Sequence, residues 1–115
     1  MNALPFELAA VLHAAPTLAM AGVIWQVQLV TYPQFETAAA AFPAYERAHC
    51  ARIGRVVGPL MLAEVAAAAA LWVAADTDAR RAAAAFGAAL IAVVWTSTVW
   101  LQVPCHRRLA RGWDA

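Results

Sequence analysis

Lysine is missing from this chain, and each of its eight basic residues is an arginine. Charge of either sign is scarce, at 13% of residues, with a formal net charge of +1. Soluble domains carry about 25% charged and about 45–50% apolar residues. This chain is 64% hydrophobic, so a water-soluble globule is excluded in favour of a membrane protein. The near-neutral balance also excludes nucleic acid as a partner, because no basic stripe meets a phosphate backbone. Cysteine is thin, with Cys50 and Cys105 alone. A secreted domain stapled by disulfides would carry more, so the pair reads as small buried apolar residues. A phosphate loop, a nucleophile elbow and an HExxH pair are all lacking. The arginine-only basic set and the wealth of alanine read as the mark of a GC-rich genome, not of a function.

What the sequence has is apolar length. "FELAAVLHAAPTLAMAGVIWQVQLV" covers 6–30, longer than the roughly 20 residues a spanning helix needs. The "AMA" at 19–21 mimics a signal cleavage site. Glu7 precedes it where a positive charge belongs, and the run continues through Val23, Ile24 and Trp25, so it reads as a span. Pro16 predicts a bend there. Further apolar runs cover 56–75 and 82–103, joined by the short polar "DTDARR", which makes them an antiparallel pair. The expected fold is all-α: one membrane domain over 1–115, a helical bundle of three transmembrane helices. An amphipathic interfacial helix is expected between the first and second spans, and a polar tail over 104–115.

Arginine position sets the orientation. Arg47, Arg52 and Arg55 lie in the 31–55 segment, and Arg107, Arg108 and Arg111 in the tail. Only Arg80 and Arg81 fall on the other side. The positive-inside rule puts the 31–55 segment and the C-terminus in the cytoplasm and the N-terminus outside, in a bacterial inner membrane. Small residues predict close helix packing: Gly54 and Gly58, then Ala63, Ala67, Ala70 and Ala74, with Ala83 and Gly87, and Ala88 and Ala92, on the third span. Trp72, Trp100 and Trp113 fall near span boundaries, where indoles prefer to sit. In 31–55, Phe35, Phe42 and His49 recur every seven residues. With Ala38, Ala39 and Tyr45 they form one apolar face, suited to a surface helix in the headgroups or a cap over a polar pocket.

One carboxylate stands out. Glu64 lies in "PLMLAEVAAAAALWV", close to midplane depth for a span over 56–75. A charge at the bilayer centre costs about 2.5–3.5 kcal/mol on insertion scales, so Glu64 is expected to be paired, hydrated or protonated, and to face the bundle interior. Thr96, Ser97 and Thr98 lie about 4–8 Å from that depth, and Gln26 and Gln28 about 10–15 Å towards the cytoplasm. Gln102, Cys105, His106, Tyr32 and His49 cluster at the same mouth. A polar pocket of Glu64, Gln28, Tyr32, His49, Thr96, Gln102 and His106 explains that bias, and so does polar side chains snorkelling outward. His49, Glu64 and His106 would make a two-histidine, one-carboxylate metal set. In one straight helix over 44–75, however, His49 and Glu64 stand about 22 Å apart in rise. That set therefore requires a break near Gly54 or at Gly58 and Pro59. The pairs His49 and Cys50, and Cys105 and His106, offer one ligand each as another set. His13, three residues before Pro16, reads as a packing histidine rather than a haem ligand.

The strings "WQVQLVTYPQF", "FPAYERAH", "VVGPLMLAEV" and "LQVPCHRRLARGWD" together resemble a group of small, uncharacterised bacterial integral membrane proteins. Their pattern is a Tyr-Pro-x-Phe turn, a His-bearing loop, a Pro-x-Met-Leu-x-Glu span and a Gln-x-Pro-x-His exit. More distantly, the layout is similar to the anthrone-oxygenase-like membrane family. The resemblance implies Tyr32, His49, Glu64 and His106 as the residues to watch. Members continue into a fourth helix, so this sequence reads as a shorter or a truncated member. Two functions are expected from these observations. One is a non-catalytic subunit or binding protein with an inner-leaflet polar pocket around Glu64, working in the lipid bilayer as a homo-oligomer or beside a partner membrane subunit. The other is a membrane-bound oxidoreductase or oxygenase-like protein that binds a metal, haem, quinone or small hydrophobic substrate. The sequence leaves open which cofactor, if any, is used.

Overall fold

The computed structural model describes residues 4–112, and among these residues all regular structure is helical. Trp113 lies outside them. Helix α1 (Phe6–Gln26) runs on through a π-turn, Val27–Thr31, a 3-10 turn, Tyr32–Gln34, and the one-turn α2 (Phe35–Ala38). A second 3-10 turn, Ala39–Ala41, leads into the long α3 (Phe42–Ala74). Helix α4 (Asp78–Ser97) passes through another π-turn, Thr98–Gln102, into α5 (Val103–Leu109). Three helical rods result, each long and apolar enough to cross a membrane: Phe6–Ala38, Phe42–Ala74 and Asp78–Leu109.

Local chemistry accounts for the ends. Pro43 sits in the first turn of α3, where a missing N–H costs nothing and φ is already helical. Thr77 caps α4, its hydroxyl accepting from the Arg80 N–H at 3.2 Å. Pro16 and Pro59 lie inside α1 and α3 without ending them. The π-turns have a shared cause. The N–H of Tyr32 reaches back five residues to the Val27 carbonyl, and the N–H of Val103 reaches the Thr98 carbonyl in the same way. The next residue in each case is a proline, Pro33 or Pro104. Proline supplies no N–H and crowds the carbonyl four residues back, so the ladder widens by one residue just before it.

Helix α3 is the shared partner of α1, α4 and α5. The interior is thin and built on small or narrow residues, with Ala9, Met20, Met61, Ala67 and Ala84 buried. Large apolar side chains point outward instead: Leu18, Trp25, Val73, Phe86 and Trp100 are each at least 66% exposed. In water such a surface would aggregate, whereas in hydrocarbon it is the required one. Alanine rather than glycine makes the close contacts. A Cβ added at Gly54, Gly58 or Gly87 would meet nothing within 4 Å, so the expected glycine packing is not used.

The 31–55 segment departs from expectation. It does not form a separate surface helix. Residues 31–38 complete the first rod, and 42–55 open α3. Its aromatic face turns inward at the bend. The Phe35 ring packs at 5.1 Å on Phe42, 5.7 Å on Tyr45 and 5.8 Å on His49. Burying this face between two rods removes the need to lay it on headgroups. At the opposite end, Arg80 joins Asp76 (2.9 Å) and Glu7 and lies over the Phe6 ring. It thereby ties the start of α1 to the α3–α4 joint.

Candidate functional site

Among the described residues, the most deeply buried ionisable side chain is not the expected one. Glu46 on α3 is fully buried. It lies one helical turn beyond Phe42, with His49 and Cys50 following, so residues i, i+4, i+7 and i+8 share one face. Two groups converge on a single oxygen, Glu46 Oε1. The Cys50 thiol donates to it at 3.2 Å, and His106 Nδ1, from α5, lies in direct contact with it. On its other edge the His106 ring meets the Tyr32 hydroxyl, with Nε2 to Oη at 3.2 Å. With the imidazole neutral and its proton on Nδ1, the phenol donates to Nε2 and the ring donates to the carboxylate. The outcome is a continuous phenol–imidazole–carboxylate chain across all three rods.

The two π-turns place the two outer members of this chain. Each adds one residue to a helical turn, about 100° of phase, immediately before Tyr32 or His106 is delivered. Without that added residue the two side chains would leave their rods on other faces. Arg47 supports α5 from α3, its guanidinium donating to the Ala110 carbonyl at 3.2 Å, where a helix end lacks donors. Arg47 therefore spends its charge on α5 and not on the adjacent Glu46.

The His49 ring stands 6.4 Å from Tyr32 and 6.0 Å from His106 between centroids. Two atoms of this group are buried without a hydrogen-bond partner among the described residues: Glu46 Oε2 and His49 Nε2. Such orphans are uncommon in folded proteins. Beside His49 a cavity of about 250 Å³ opens between the first rod and α3, with Gln26, Thr31, Tyr45, His49 and Arg52 in its wall. Glu46, Cys50 and His106 each offer a metal-binding atom, and the three atoms lie within 4.8 Å of one another.

Tyr32, His49 and His106 are thus brought together, whereas Glu64, Gln28, Thr96 and Gln102 are not with them. Helix α3 runs unbroken from Phe42 to Ala74, so His49 and Glu64 are about 22 Å apart along it. The set of His49, Glu64 and His106 does not assemble around one point. Glu64 is buried, at 7% exposure, and makes no hydrogen bond among the described residues. Thr96 and Thr98 instead bond their own helix, to the carbonyls of Ala92 and Val94. Ser97 meets Gln102 at 3.5 Å. Gln28 and Gln102 are exposed. Sequence reasoning missed Glu46 because "YERA" looks like solvated surface. Its signal was the spacing from Phe42 to His49 and Cys50 on one helical face.

No protein-family model, curated protein or solved structure matches the chain.

Proposed function

We propose that this is an integral protein of the bacterial cytoplasmic membrane that holds a small ligand in a polar pocket at its arginine-rich end. It would act as a binding protein or as a non-catalytic subunit, either as a homo-oligomer or beside a partner subunit. Its N-terminus faces outward and the pocket faces the cytoplasm, in keeping with the positive-inside rule. The first turns of α3, with Arg47, Arg52 and Arg55, then lie at headgroup level. The proposed site is the Glu46 cluster, not Glu64, with the cavity that His49 lines as its neighbour.

The observation that carries this reading is the Glu46 carboxylate, which is fully buried and bonded across the rods while one oxygen is left without a partner. Structural glue between helices satisfies its polar atoms. A site awaiting a ligand does not. A second reading, a membrane-bound oxidoreductase or oxygenase-like enzyme, is favoured by the Tyr32–His106–Glu46 chain, which is laid out for moving a proton.

Native mass spectrometry of the protein released from detergent tests the pocket. A stoichiometric non-lipid adduct is expected on the wild type and on Glu64→Gln, and is expected to be missing from Glu46→Gln. A bare wild-type protein, or an adduct that survives Glu46→Gln, would overturn the reading.

A further inference from the structure

We infer that Glu46, Cys50 and His106 hold one divalent transition-metal ion of the zinc class. This inference rests on the reading of the Glu46 cluster as a binding site and names the chemistry of its occupant.

The donor set argues for the ion. It comprises one carboxylate oxygen, one sulfur and one imidazole nitrogen, drawn from two rods. Thiolate and imidazole select zinc-like ions over magnesium or calcium, which take oxygen ligands. Glu46 and Cys50 stand four residues apart on α3, the spacing that aims two ligands at one point. Bonds of about 2.0–2.3 Å in a tetrahedron put ligand atoms about 3.3–3.8 Å apart. Cys50 Sγ already stands 3.2 Å from Glu46 Oε1, and all three donor atoms lie within 4.8 Å of one another, so an ion enters by opening the direct His106–Glu46 contact to that ligand spacing. Nothing else compensates the charge, since the only ion-pair partner of Glu46 among the described residues is His106.

The hydrogen-bond pattern shows where an ion enters. With the imidazole proton on Nδ1, the Cys50 thiol and the His106 ring both donate to Glu46 Oε1. A dication replaces both protons. The Cys50 thiol loses its proton to solvent and becomes a thiolate. His106 shifts its proton from Nδ1 to Nε2, where it is donated to the Tyr32 oxygen, and the phenol hydrogen turns away. Charge balances: the carboxylate, the new thiolate and the dication sum to zero, with one proton released. A neutral site suits a buried position better than a lone carboxylate does. Tyr32 thereby becomes the outer-shell partner that fixes the imidazole tautomer, the role such partners hold in zinc sites. The His49 ring, 6.0 Å from the His106 ring between centroids, flanks this three-ligand set, and the fourth position is left for a water.

Cobalt(II) reports on this set directly. The full-length protein in detergent, stripped with chelator, is titrated with Co²⁺ and then with Zn²⁺. The expected result is one Co²⁺ per chain, with intense tetrahedral visible bands and a thiolate-to-cobalt charge-transfer band, all bleached by Zn²⁺. Cys50→Ser removes the charge-transfer band, Glu46→Gln abolishes binding, and Tyr32→Phe weakens it about tenfold. Cys105→Ser and Glu64→Gln leave the spectrum unchanged. Failure of the wild type to bind Co²⁺, or a charge-transfer band lost in Cys105→Ser and kept in Cys50→Ser, would overturn the assignment. The wild-type spectrum decides the thiolate question even where a variant fails to fold. A wild-type protein that carries an organic adduct but takes no Co²⁺ defeats the metal and leaves the pocket standing. A protein with neither defeats both.

Discussion

Glu46 and Glu64 show how differently one residue type is housed in a single helix. Glu46 is sealed beneath α5 and bonded to His106, and Glu64 is buried without a bond among the described residues. Removing His106 leaves the buried Glu46 carboxylate with the Cys50 thiol as its remaining hydrogen-bond partner, a loss of about 1.5–3 kcal/mol for a hydrogen bond to a charged group. His106→Ala is therefore expected to be destabilising. Glu46→Leu combined with His106→Leu is expected to recover most of that loss. A double-mutant cycle by denaturant titration in mixed micelles should give a coupling of about 1–3 kcal/mol. A coupling near zero would mean that the contact does not hold α5 to α3. Glu64 was legible in the sequence because its neighbours are aliphatic. Glu46 was not, because Tyr45 and Arg47 beside it look like surface. Its partner His106 comes from α5, which is distant in the chain.

Apolar length and the "DTDARR" joint made the three rods legible, since hydropathy and a short connection are local properties. The rod ends were not. A polar, aromatic stretch beside an apolar span looks like a loop, yet 42–55 continues the α3 helix because its aromatic face finds Phe35. The π-turns were also hidden, although each precedes a proline that the sequence prints. They give the bundle its register at the site. Pro104→Ala returns an N–H to the ladder and lets the last turn of the third rod relax towards regular α-helix. His106 should then swing by about one residue's phase, 100°. The expected outcome is a protein at least as helical and as heat-stable as the wild type by circular dichroism, with the Glu46–His106 coupling reduced to below about 0.5 kcal/mol. Retention of the full coupling would show that the π-turn does not set the register.

The whole molecule is an elongated body, 57 × 23 × 20 Å, with the Arg80 clamp at one end and the Glu46 cluster at the other. Orientation is testable with its own thiol. Cys105 is exposed at the cluster end. In a Cys50→Ala background, an impermeant maleimide should label Cys105 in inverted vesicles and not in intact spheroplasts. Asp78→Cys, in a background lacking both native cysteines, should show the reverse, and a swapped pattern would invert the assigned topology. The rods themselves carry a further consequence. At 33 residues, α3 is about 50 Å long, against about 30 Å of hydrocarbon. Glu46 stands near one tip of that overhang. Longer acyl chains would draw the tip towards oil, and shorter ones would lift it further into water. The same protein in two lipids of different chain length therefore sets the rim of the cluster, His106 and Arg52, in two different solvents, and bilayer thickness becomes a dial on the site.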